Sequence, residues 1–137
     1  MEPRGIRNNN PGNLNYVGQA GAHKELGDHG RFAVFATPEA GLIALRGQLL
    51  RYHQRDGLDT VSAIIGKWAP PTENNTTDYI DGVSHALGVS PQAPLGNFSP
   101  HLIAGLMQAI IMMENGKNPY GTLINTVAGL SNKETIT

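Results

Sequence analysis

The chain has 137 residues, ten Lys and Arg against eleven Asp and Glu, a formal net charge of −1 and no cysteine. That length suits one domain able to bury its own core, and the lack of cysteine excludes a disulfide framework, a thiolate nucleophile and a thiolate metal site. The near-even charge balance has neither the basic excess nor the basic stripe of a nucleic-acid binder, and the apolar runs are far too short to span a membrane.

The front of the chain, residues 1–36, is rich in glycine and in asparagine (Asn8, Asn9, Asn10, Asn13 and Asn15). Residues 1–7 contain no apolar core, so no secretory signal is expected there. Residues 14–17 and 31–35 read as short strands flanking a loop. Alternation in the second run puts Phe32, Val34 and Ala36 on one side, with Ala33 and Phe35 on the other. A small irregular hairpin or a loop-rich lobe is therefore expected over residues 1–36, ahead of a helical core over 37–137.

Thr37-Pro38-Glu39 carries the signals of a helix start: an N-cap hydroxyl, proline at the first helical position and an acid in the first turn. Leu42, Leu45, Leu49 and Tyr52 continue at helical spacing to about residue 55. A second helix opens at Asp59 or Thr60, turns Val61, Ile64 and Ile65 inward, and stops before Trp68-Ala69-Pro70-Pro71. A third begins at Thr76 or Thr77, carries Tyr79, Ile80, Val83 and Leu87, and ends at Gly88. After a proline-rich connection, Ser99-Pro100 starts a fourth that reaches Glu114 and ends at Asn115-Gly116. A fifth, weaker segment covers residues 122–130. The fold class that follows is mainly α, with a small β-hairpin.

The fourth helix holds the most informative pattern. Its inner face is Ile103, Leu106, Met107 and Ile110, and Glu114 falls on the same stripe one turn later. Apolar burial and the negative end of the helix dipole both favour a neutral carboxyl. A glycosidic general acid needs that state. The alternative is a glutamate that merely frays into solvent. The asparagine cluster suits hydrogen bonding to sugars and N-acetyl groups, and equally suits turns, because Asn tolerates a left-handed backbone. Residues 68–76 place Trp68, Glu73, Asn74 and Asn75 in one connection. These could face a ligand, or fill the core and cap the next helix. His23, His29, His53, His85 and His101 match no zinc-ligand spacing, and neither a nucleophile elbow nor a phosphate-binding glycine loop is present. No metal or organic cofactor is expected.

Several stretches, in order, resemble a group of phage and prophage peptidoglycan-degrading proteins in the lysozyme-like superfamily. They are residues 4–14 (Arg-Gly-Ile-Arg-Asn-Asn-Asn-Pro-Gly-Asn-Leu), Arg31-Phe32-Ala33-Val34-Phe35 with Pro38-Glu39-Ala40-Gly41, Trp68-Ala69-Pro70-Pro71 with Glu73-Asn74, and Met113-Glu114-Asn115-Gly116. The group includes virion proteins, structural proteins and lytic transglycosylases. Residues 9–14, 32–37 and 68–79 are also similar, in order, to three motifs of bacterial glucosaminidases, whose catalytic helix precedes the asparagine motif. Here the segment similar to a transglycosylase helix ending in Glu-Ser-Gly comes last, at residues 109–119. The resemblance therefore implies a circularly permuted α+β lysozyme-like fold, with Glu114 packed beside the asparagine-rich front.

It also implies cleavage of the β-1,4 bond between N-acetylmuramic acid and N-acetylglucosamine in peptidoglycan. Glu114 would be the general acid, and Glu73 the second carboxylate of a hydrolase, with Glu25 and Asp28 behind it; the alternative makes Glu73 the acid and Glu114 a bystander at the helix end. Trp68, Tyr79 and Phe35 would line the groove, and Asn10, Asn13 and Asn74 would hold N-acetyl groups. The group often has Asp at the position of Asn75 and Trp in the hairpin; this chain has neither. The implied partner is the glycan strand, met by a monomer made without a signal and carried to the wall by a holin, a virion or a secretion machine. The competing expectation is a glycan-binding or virion structural module that does not cut.

Overall fold

The structure is a computed structural model that describes residues 2–71 and 75–130. In chain order it contains α1 (Arg4–Arg7), β1 (Ala22–Lys24), β2 (Ala33–Phe35), α2 (Pro38–Gln54), α3 (Val61–Trp68), α4 (Thr76–Leu87), α5 (Pro100–Asn115) and α6 (Leu123–Ala128). The fold is mainly helical, with one two-stranded antiparallel sheet among the described residues. No helix among them is long and apolar enough to cross a membrane.

The helix starts follow from side chains that take up free backbone donors. Thr37 accepts from the Ala40 N–H, Thr60 from Ala63 and Ser99 from Leu102. Asn75 accepts from Asp78 at the start of α4, so it is the cap of that helix. Each such cap stabilises by roughly 1 kcal/mol. Helices α4 and α5 stop where Gly88 and Gly116 turn left-handed, at φ 69° and 73°, a conformation open to glycine at little cost.

Helix α5 is the axis of the molecule. Ile103, Ala104, Leu106, Met107, Ala109, Ile110 and Ile111 are all buried, and the helix packs against α4, α6, α2 and α1. The expected inner stripe of Ile103, Leu106, Met107 and Ile110 is thus present, within a wider buried surface. Leu42, Leu45, Leu49, Val61, Ile64, Ile65, Val83 and Ile124 close the core around it. Full burial of each large aliphatic side chain contributes roughly 1.5–3 kcal/mol.

The hairpin differs from the expectation. β2 occupies the second expected run, but its partner is β1, pairing Ala22 with Phe35, His23 with Val34 and Lys24 with Ala33. Residues 14–17 contribute only the single bridge between Asn15 and Phe32. The physical reason lies just beyond the bridge: the Gln19 side chain accepts from the Val17 N–H and donates to the Asn15 carbonyl, and Gly18 turns left-handed at φ 84°, so the strand cannot extend. The front segment is tied to itself and to β2 through its own amides. The Asn9 side chain donates to the Phe35 carbonyl, and the Asn10 side chain to the carbonyls of Leu14 and Ala33. Gly41, in the first turn of α2, lets the Asn9 carbonyl approach so closely that a Cβ there would collide with it.

Candidate active site

Glu114 lies in the last turn of α5, where the asparagine-rich front meets the helix. Its carboxyl is held at both oxygens. The Asn13 amide donates to Oε1 at 2.7 Å, and the Tyr79 hydroxyl to Oε2 at 2.8 Å. Asn13 is brought there by its turn, whose backbone N–H bonds to the Asn10 carbonyl. Tyr79 is brought by the first turns of α4 and is 5 % exposed. Its hydroxyl is held far above the ordinary tyrosine range. Burial is the main cause, the Glu114 charge and hydrogen bond add to it, and neighbouring Trp68 opposes it. The phenol therefore remains a donor to Glu114 at any working pH.

Two depressions meet at this point. A small one of about 100 Å³ is lined by Glu114, Asn13, Trp68, Arg31 and Phe32, among others. A longer one of about 270 Å³ runs past Trp68 and Pro70 toward Tyr52, Gln48 and Val17. They share Gly12, Asn13, Asn15 and Trp68, and so form one groove with Glu114 in one section of its wall. The Trp68 ring lies edge-on to Tyr52, with centroids 5.9 Å apart. Glu114 is the one carboxylate among the described residues that line the groove.

The expected site residues sort into three sets. Glu114, Asn13, Tyr79 and Trp68 are brought together, but Tyr79 stands behind the carboxyl and Asn13 is bonded to it. Both support it: Asn13 does so while also lining the groove, whereas Tyr79 is outside the groove lining expected of it. Asn10 and Phe35 do not fit the ligand-binding role expected of them. Asn10 is fully buried, with its amide committed to the Leu14 and Ala33 carbonyls and its oxygen to the Leu14 N–H. Phe35 is buried and borders a separate depression with Ile43 and Gly47 of α2. Glu73 and Asn74 lie outside the described residues.

The reserve carboxylates are placed elsewhere. Glu25 accepts from Arg4, from the Asn8 amide and from the backbone N–H groups of Arg31 and Phe32. It is thus an anchor of the lobe, and its two oxygens are fully engaged. Asp28 borders a depression with Arg4, Arg7 and Glu25 that does not include Glu114. Among the described residues no three His, Cys, Asp or Glu side chains cluster in a way that could hold a metal.

Asn115 was not anticipated as part of the site. It is the last residue of α5, as the expected end at Asn115-Gly116 requires, and it is buried. Its amide donates to the Pro11 carbonyl at 2.9 Å and to the Ile111 carbonyl at 3.0 Å. Arg31, which stacks 4.8 Å over the Phe32 ring, was likewise not expected at the groove. Sequence spacing carries no signal for the place of either residue at the site, because Asn115 meets Pro11 across 104 positions and Arg31 meets Glu114 only at the groove.

No family model matches the sequence. Protein P5 of Pseudoalteromonas phage PM2 is 37 % identical over 122 residues, which cover 85 % of this chain and 74 % of that protein. The chain belongs to the family of this phage protein. That span takes in most of the chain, and so a phage protein provides the comparison for most of this P5-family fold.

Proposed function

We propose that this P5-family protein cleaves the β-1,4 glycosidic bond between N-acetylmuramic acid and N-acetylglucosamine in bacterial peptidoglycan, with Glu114 as the acid. The observation that carries this reading is the Glu114 carboxyl, fixed by Asn13 and Tyr79 in the wall of a groove that also presents Trp68. The resemblance of the sequence to lysozyme-like peptidoglycan-degrading proteins supports it. So does the meeting of the C-terminal end of α5 with the front segment, which is the juxtaposition a circularly permuted relative of those proteins requires.

In the proposed reaction Glu114 gives its proton to the bridging oxygen, and the bond from C1 of the muramic acid to that oxygen breaks. The carboxylate left behind accepts from the Asn13 amide and the Tyr79 hydroxyl, so both donors act most strongly as the proton departs. Preorganised donors of this kind lower the barrier. The 6-hydroxyl of the same sugar then attacks C1 and returns its proton to Glu114. An anhydro end forms, and no water is consumed. This route needs one carboxyl, which matches a groove whose described lining contains one. A hydrolase would need a second carboxylate roughly 5–9.5 Å away.

The test is digestion of purified peptidoglycan by the wild type and by Glu114→Gln, with products read by mass spectrometry. Anhydro-muropeptides from the wild type, reduced at least about 100-fold in the variant, are the expected result. Reducing ends would mean a hydrolase. Absence of products from both proteins, with glycan still bound, would replace the reading with a non-catalytic wall-binding module. The route to the wall, by a holin, a virion or a secretion machine, is part of the same proposal.

A further inference from the structure

Behind Glu114, three features that each cost stability meet in one place. Asn13 holds a left-handed backbone, at φ 52°. The side-chain oxygens of Asn13 and Asn115 are both buried, and neither accepts a hydrogen bond. Both of these oxygens converge on Gly5: a Cβ at that position would lie 2.6 Å from Asn115 Oδ1 and 2.9 Å from Asn13 Oδ1. Only a hydrogen fits there. Native proteins leave few buried polar atoms unpaired, and a pair of them facing one glycine calls for a reason.

The amide nitrogens supply that reason. The Asn115 nitrogen is used on the Pro11 carbonyl and on the Ile111 carbonyl of its own helix. The Asn13 nitrogen is used on Glu114. Turning either amide over would pair an oxygen with an oxygen, at Pro11 or at the carboxylate. Gly5, by accepting both oxygens at close range, leaves each amide facing the right way. The Pro11 link also clamps the turn that carries Asn13 to the end of the helix that carries Glu114.

We propose that Asn115 is a positioning residue. Acting through Pro11 and Asn13, with Gly5 leaving room for both amides, it sets the Glu114 carboxyl in the groove. This rests on the reading of Glu114 given above. Asn115 is buried and does not line the groove, so it touches no substrate and its effect falls on turnover.

The experiment is a double-mutant cycle on soluble, uncrosslinked glycan strands, with kcat, KM and Tm measured for Asn115→Ala, Asn13→Ala and the pair. Gly5→Ala and Glu114→Gln complete the panel. Asn115→Ala is expected to lower kcat by about 10- to 100-fold, with KM within about twofold. Asn13→Ala should do the same, and the double variant should lose no more than the worse single one, because both break one linkage. Gly5→Ala presses on the same amides from the other side. It should reproduce the kcat loss, and it decides the question if Asn115→Ala does not fold. Unchanged kcat with only a lowered Tm, or losses that multiply in the double variant, would overturn the proposal. If the wild type releases no product, or Glu114→Gln turns over like the wild type, the reading of the site fails first and the proposal falls with it.

Discussion

At the scale of single residues, the surroundings fix the protonation of Tyr79 and of Glu25. Burial, with Glu114 adding to it, keeps the Tyr79 hydroxyl protonated, so no alkaline loss of activity should arise from that phenol. Tyr79→Phe removes the donor and keeps the ring. The expected result is a kcat roughly 10-fold lower and a melting temperature lower by about 5 °C or more, since a hydrogen bond to a charged group contributes about 1.5–3 kcal/mol to stability; unchanged kcat would remove Tyr79 from the mechanism. Glu25 behaves differently. The Arg4 guanidinium holds its carboxyl well below the usual carboxylate range; Asn8 and the Phe32 and Arg31 N–H groups add to this, and burial opposes it. Because the folded carboxyl binds its proton at lower pH than the unfolded one, the resulting stability is fully present above the ordinary carboxyl value of about 4.3. It drains away as pH falls from there toward the folded value. Glu25→Gln should therefore lower Tm by roughly 3–6 °C at pH 7, and the gap to wild type should narrow below about pH 4, as thermal scans across that range would reveal. The sequence singled out Glu114 because its spacing from Ile110 is local. The commitments of Glu25 and Asn10 were not legible, because they depend on partners 21 and 23 residues away.

At the scale of elements, the helices were legible and the sheet was not, for one physical reason. Thr37, Thr60 and Ser99 cap through N–H groups three residues on, and the apolar stripes repeat within each helix, so all the information is local. Helix α1 has four residues, Arg-Gly-Ile-Arg, with no periodic stripe to reveal it. Strand β1, Ala-His-Lys, is mostly exposed and earns its place only by pairing with β2, so no alternation marks it. The join between α2 and the front segment is likewise invisible in the sequence, where Gly41 looks like a weak point in a helix. In the structure that glycine is required by the Asn9 carbonyl. Gly41→Ala would ordinarily favour a helix by about 1 kcal/mol. Here it should destabilise by about 3 kcal/mol or more, as chemical denaturation would measure; a stabilised variant would mean that the front segment does not dock on α2.

At the scale of the whole molecule, the contacts that build the site span almost the full length of the chain. Asn13 reaches Glu114 across 101 positions, Pro11 reaches Asn115 across 104, and Glu2 pairs with Lys117 across 115. The helical core from α2 to α6 is closed by contacts among its own elements. The front segment adds the carboxyl clamp and one wall of the groove. Loop closure over such distances costs entropy before any contact is made. Helix formation is therefore expected to run ahead of site assembly. On dilution from denaturant, the helical circular dichroism signal should recover before peptidoglycan cleavage does, and simultaneous recovery would refute that order. A ribosome releasing this chain would expose the front segment first and α5 about a hundred residues later. The clamp on Glu114 is therefore a late event in synthesis: Asn13 leaves the ribosome 101 positions ahead of the carboxyl it holds, and waits without its partner until α5 follows.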